Sequence, residues 1–198
     1  PHTQAVMFCV MDVSFSMGED EKDVAKRFFV LLNMFLRRKY NNVHVVFIAH
    51  HAEAREVDED EFFHSKISGG TVVSEALSLT KKIINERYKP DDWNIYIAQA
   101  SDGDNYPNDE TLTEQYIEDL LGIVQYYAYI ETLSDYKKQW VNNGHLMDTT
   151  SLWKSFRKHI ETNKNLALQR VPDKSSVWKV FSNLFHRTRA DNAKIFGE

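Results

Sequence analysis

Apolar residues along the chain fall into two alternating patterns. Residues 5–11 (AVMFCVM) form an unbroken apolar run, the signature of a strand covered on both faces. Residues 43–49 (VHVVFIA), 93–100 (WNIYIAQA), 123–130 (IVQYYAYI) and 166–171 (LALQRV) read as further strands, and residues 53–57 as a short charged edge strand. Between them the apolar spacing turns helical. Val24, Phe28, Leu31, Leu32, Phe35 and Leu36 share one face of residues 21–40. Ala76, Leu79, Ile83 and Ile84 do the same in 72–87, Leu152, Trp153, Phe156 and Ile160 in 149–162, and Val177, Val180, Phe181 and Leu184 after Pro172. A helix over 109–121 stops at Gly122. The pattern over 131–147 is weak.

Strands and helices in alternation predict an α/β domain. The expected form is an open, mostly parallel, doubly wound (Rossmann-like) sheet of about six strands flanked by helices, with residues 1–198 as one domain. Seven glycines and four prolines leave little room for a flexible hinge. Such sheets bind ligands beyond the carboxyl ends of their strands, where strand order reverses. Polar residues cluster at those predicted ends. Asp12, Ser14 and Ser16 follow the first strand, Asp102 and Asp104 follow the strand ending at 100, and Thr71 follows Gly69-Gly70 at the mouth of a helix.

These three stretches contain hydroxyls and acids but no basic residue. Acids gathered without counter-charge repel one another, and a divalent cation relieves that. All-oxygen ligands select a hard ion, Mg²⁺ or alternatively Mn²⁺ or Ca²⁺, over zinc. Alternate residues of an extended turn point the same way, so Asp12, Ser14 and Ser16 can face one point. The plainer reading of the five residues is loop and helix capping. Asp104 reads as a turn residue or an outer partner of the same site.

Together, Asp12-Val13-Ser14-Phe15-Ser16, Thr71 and the Asp102-Gly103 step resemble the metal-ion-dependent adhesion site of von Willebrand factor A (VWA) domains, over essentially the whole chain. The resemblance implies the VWA fold, Asp12, Ser14, Ser16, Thr71 and Asp102 as metal ligands, and a coordination position left for a carboxylate from a protein partner. Phe15 departs from the glycine many relatives carry there. The stretches MDVSFSM, AKRFFVLL, HHAEAREVDEDEFF, GGTVVSEAL and WNIYIAQASDGDN are similar to the bacterial YeaH/YhbH family, whose members carry such a domain at the carboxyl end. That implies a fragment of a longer protein, in keeping with a strand starting almost at Pro1. It also implies a stress-response or sporulation setting, beside a PrkA-type kinase or a SpoVR-like protein. Relatives of the VWA type couple metal occupancy to movement of the last helix, here residues 175–185.

Composition narrows the alternatives. A net charge of -5 argues against a general nucleic-acid binder, and Arg37-Arg38-Lys39 close a helix whose dipole they complement. A lone cysteine, Cys9, excludes an intrachain disulfide and a Cys-rich zinc site and reads as a small core residue. No apolar run spans a membrane and no signal peptide opens the chain, so a cytoplasmic, non-membrane protein is the expectation. Glu19 and Asp20 could serve a second metal but suit a helix start equally well. His50, His51 and His64 could form a transition-metal site; one packed and one solvated histidine at the 50–51 pair is the simpler reading. Residues 57–63 (VDEDEFF) read as a solvated acidic turn before an apolar anchor, with a partner surface as the alternative. Trp93, Trp153 and Trp178 are placed in the core, and Trp140 at an interface or in the core.

The expected activity is therefore binding rather than catalysis. The competing enzyme reading is a Mg²⁺-dependent phosphohydrolase with Asp12 as nucleophile. It lacks an acid two residues on, where Ser14 stands, and Lys66 and Lys81 are poor candidates for its phosphate lysine. Neither GxxxxGK[ST] nor GxGxxG occurs, so nucleotide binding has no motif.

Overall fold

In a computed structural model, residues 3–64, 69–142 and 150–186 are described. Their strands form one six-stranded sheet in the order β3-β2-β1-β4-β5-β6. The strands are β1 (Gln4–Asp12), β2 (Asn42–His50), β3 (Ala54–Val57), β4 (Asn94–Ser101), β5 (Tyr126–Thr132) and β6 (Leu166–Val171). All neighbours pair in parallel except β2 and β3, which pair antiparallel at one edge. Parallel pairing buries both faces, which is why β1 can be apolar at seven successive positions.

The helices are α1 (Glu19–Lys39), α2 (Glu59–His64), α3 (Val73–Arg87), α4 (Glu110–Leu121), α5 (Asp135–Asn142), α6 (Ser151–Arg157) and α7 (Val177–His186). Side chains alternate across the sheet and divide the core in two. Ala5, Met7, Cys9 and Met11 face a layer holding α1, α2 and α7. Val6, Phe8 and Val10 face a layer holding α3, α4 and α6. Phe181 of α7 meets Phe28 and Phe35 of α1 edge-on, with ring centroids 6.0 and 6.3 Å away. Acids open α1 and Arg37, Arg38 and Lys39 close it, as its dipole favours.

Several boundaries differ from expectation. β5 begins at Tyr126 rather than 123, because Ile123 and Val124 are spent closing the turn after α4, their amides bonded to Leu120 O at 3.0 Å each. α6 ends at Arg157. Beyond it the chain tightens into three-residue turns, with His159 N on Phe156 O and Ile160 N on Arg157 O. The acidic stretch 57–63 contains a helix, α2, that anchors the fully buried Phe62 against Phe29 and Phe47. Trp93 and Trp153 are partly buried against the core, but Trp178 is 65% exposed, one ring face resting on Phe181. It occupies the outer side of α7, whose inner stripe is already filled by Val177, Val180, Phe181 and Leu184. The side chain of Trp140, and Lys66, fall outside the described residues. Among the described residues no helix is long and apolar enough to cross a membrane.

Two expectations about stability follow. Phe28→Ala should cost about 3–5 kcal/mol, a fall in Tm of roughly 6–20 °C for a domain of this size, whereas Trp178→Ala should cost less than about 1 kcal/mol; thermal unfolding compares them. Burial raises the Cys9 thiol pKa well above its ordinary value, so Cys9 should resist a thiol reagent in the native protein and react fully in denaturant.

Candidate functional site

Strand order reverses between β1 and β4, and both strands end at the same rim. Their register sets Met11 against Ala100, so the next residues, Asp12 and Ser101, lie side by side. Ser101 Oγ donates to Asp12 Oδ2 at 3.2 Å. Asp12 Oδ1 accepts the Ser14 amide at 2.8 Å, which folds the chain so that Ser14 and Ser16 hydroxyls stand 3.2 Å apart. Asp102 shapes its own loop the same way, its Oδ1 accepting the Asp104 amide at 3.1 Å.

Backbone bonds tie the three loops into one rim. Phe15 N reaches Gly69 O at 3.4 Å, Val72 N reaches His51 O at 2.9 Å, and Tyr106 N reaches Thr71 O at 3.3 Å. The Thr71 loop thus lies between the other two. Gly70 packs against Tyr106 there, and a Cβ would meet the tyrosine hydroxyl and push that half-exposed ring aside. Behind the rim Asp109 locks α3 to α4, accepting the Ser74 amide at 2.9 Å, the Ser74 hydroxyl, and the Thr113 hydroxyl at 2.8 Å. Asp12, Ser14, Thr71 and Asp102 are buried; Ser16 is exposed, as is Phe15 beside it.

The electrostatics are uneven. Desolvation pushes the Asp12 carboxyl above its ordinary pKa, His50 and the Ser14 bond draw it back, and Asp102 pushes it up again. His50 gives little real compensation. It is fully buried, desolvation lowers its pKa, and neither ring nitrogen has a partner among the described residues. It stays neutral at neutral pH. His51 is partly buried, with its Nδ1 shut off from solvent and without a partner among the described residues, so the pair is one packed and one half-buried histidine rather than one packed and one solvated.

Two groups at the rim come from segments whose sequence gave no signal. The first is Lys137 of α5. Its Nζ donates to Asp102 O at 2.5 Å and to Asp104 Oδ1 at 3.2 Å, and lies 3.6 Å from Asp102 Oδ2. The three motif stretches contain no base, but the fold supplies one. The second is Glu131, fully buried at the end of β5, paired through Oε1 with Arg170 Nε at 3.0 Å. Its Oε2 accepts the Thr150 hydroxyl at 2.6 Å and the Tyr129 hydroxyl at 3.2 Å. Gly103, at φ +92°, fits against this carboxylate, and a Cβ there would stand 2.5 Å from Oε2. An acid next to a lysine or arginine in the final strands is indistinguishable in sequence from surface charge.

Among the described residues no three His, Cys, Asp or Glu side chains gather as a metal-binding group, so His50, His51 and His64 form no transition-metal centre. The rim offers two carboxylates, with the remaining oxygens supplied by hydroxyls. Asp12, desolvated, near Asp102 and without a lysine or arginine partner among the described residues, is a donor that fits a hard cation.

The fold has known counterparts. The pilus adhesin SpaC of Lactobacillus rhamnosus GG, in an open conformation, superposes with a TM-score of 0.61 at 12% identity, over 94% of this chain and 30% of that one. The VWA domain of SpRpn10 superposes at 0.56 and 11% identity, over 94% and 95% of the two chains. Proximal thread matrix protein 1 of the mussel byssus, with a zinc-occupied metal-ion-dependent adhesion site, superposes at 0.53 and 12% identity, over 93% of this chain and 45% of that one. The chain spans under half of the adhesin and of the byssus protein. At these identities the likeness establishes the fold, which is that of a VWA domain. A family profile described as "Protein of unknown function (DUF444)" matches residues 1–188, and the chain belongs to that family.

Proposed function

We propose that this chain is a divalent-metal-dependent protein-binding module. Asp12, Ser14, Ser16, Thr71 and Asp102 would hold the ion, Mg²⁺ first and Mn²⁺ or Ca²⁺ as alternatives, and a carboxylate of a protein partner would complete its coordination. The observation that carries the reading is the pair Asp12 and Asp102, two buried acids at the point where strand order reverses, the second adding to what desolvation already costs the first. Hydroxyls bonded into the same rim make the donor set all oxygen. A bound ion supplies a Lewis-acidic position for an anionic oxygen. This chain's part is to hold the carboxylates close and to keep the loops in register. The zinc-occupied site in the byssus protein supports the reading by analogy of fold.

On the same reading the protein acts by binding and not by catalysis. An Asp12 nucleophile for phosphoryl transfer would have Ser14 where the proton-transferring acid is needed. Membership of the YeaH/YhbH group and a PrkA-type kinase or SpoVR-like partner rest on the local sequence resemblance, and a cytoplasmic place on the sequence's lack of a membrane-spanning run or signal peptide; all belong to the proposal.

Mg²⁺ or Mn²⁺ titrated calorimetrically should bind the wild type, and Asp12→Ala should weaken binding on the order of 100-fold or more. Heat without any difference between the two proteins would remove the site. Asp12→Asn keeps the shape and the Ser14 bond but not the charge. It should unfold at a higher temperature than wild type in chelator, and lose the stabilisation that Mg²⁺ gives the wild type. Capture of a partner from a native lysate should need Mg²⁺ and fail with EDTA or Asp12→Ala, while generic phosphatase substrates should show no turnover.

A further inference from the structure

Asp12, Asp102 and Asp104 stand on the rim, and Glu131 lies behind the Asp102 loop, against Gly103. Two cations face them among the described residues: Arg170, held against Glu131, and Lys137, held against Asp102 and Asp104. The two cations stand in unlike places. Arg170 lies behind Glu131 and stacks on Trp153 at 4.1 Å, away from the hydroxyls of the rim. Lys137 is anchored on the Asp102 loop itself and grips the backbone oxygen as well as both carboxylates, from a side chain only 20% exposed. Its field also reaches Glu131.

We propose that Lys137 is a tethered counter-ion that holds the Asp102 loop in the metal-free protein and, by like-charge repulsion, sets the affinity for the divalent ion. The inference rests on the metal-binding reading above. Without an ion, Asp102 has a desolvated carboxylate and one ammonium within reach, so the lysine keeps the loop folded. With an ion bound, the same ammonium stands beside a dication and its repulsion subtracts from binding. A lysine that only propped up the loop would do the first and not the second. Its loss would loosen the loop and weaken the site.

The two roles separate in Lys137→Met, which keeps the stem and removes the charge, with Lys137→Arg as the charge-retaining control. In EDTA, the amides of residues 102–104 should exchange hydrogen about tenfold faster in Lys137→Met than in wild type. In the same protein Mn²⁺ should bind roughly tenfold tighter, the order expected of a unit charge acting on a dication across several ångströms of well-solvated protein. Lys137→Arg should stay near wild type in both. Mn²⁺ binding to Lys137→Met that is equal to or weaker than wild type overturns the proposal, as does unchanged exchange in EDTA. If neither protein binds Mn²⁺, the metal-binding reading itself falls, and the lysine's role at an ion falls with it.

Discussion

The parallel pairing of β1 with β4 is the constraint from which the rest of the rim follows. Met11 lies against Ala100 in that register, so both strands run out at the same level and deliver Asp12, Ser101 and Asp102 to one edge. A slip of one residue would turn Asp12 toward the other face, into the layer of α1 and α7, and seven buried apolar side chains of β1 would change sides with it. The hydrophobic alternation of the strand therefore fixes where its terminal acid stands. The acid is expensive because the strand that carries it is central.

The protein distributes that cost unequally. Glu131 is given an arginine, two hydroxyl donors and a glycine that makes room for it, and is a closed, satisfied network. Asp102 is given a lysine and an exposed acidic neighbour. Asp12 is given hydrogen bonds from Ser14 and Ser101 and a histidine that stays neutral. The uncompensated charge thus concentrates at the first strand. Unequal treatment of neighbouring acids distinguishes a site from a structural salt-bridge cluster, where each acid would have a partner.

Much of this was legible in the amino-acid sequence. The apolar runs 5–11 and 93–100 marked β1 and β4, and the placement of Asp12, Ser14, Ser16, Thr71 and Asp102 on one rim could be anticipated because short loop motifs are contiguous or end a recognisable strand. Trp178 misled because a tryptophan next to an apolar stripe reads as part of it, although α7 already had four residues facing inward. Lys137 and Glu131 were not legible. Each acts on a loop some thirty residues away in sequence, across a contact that only β4–β5 pairing and the docking of α5 create. Nothing in the run 131–138 (ETLSDYKK) separates a buried acid and a gripping lysine from ordinary solvent-facing charge.

The position of β1 at the middle of the sheet also governs how the chain reaches this state. β1 comes early in sequence, pairs on one side with β2 from residue 42, and on the other with β4 only from residue 94. Contacts that span some ninety residues carry a large loop-closure entropy and are made slowly. A chain growing from its amino end therefore carries β1 with one open, strongly apolar edge until β4 has been synthesised, and over that interval its solubility depends on whatever covers that edge.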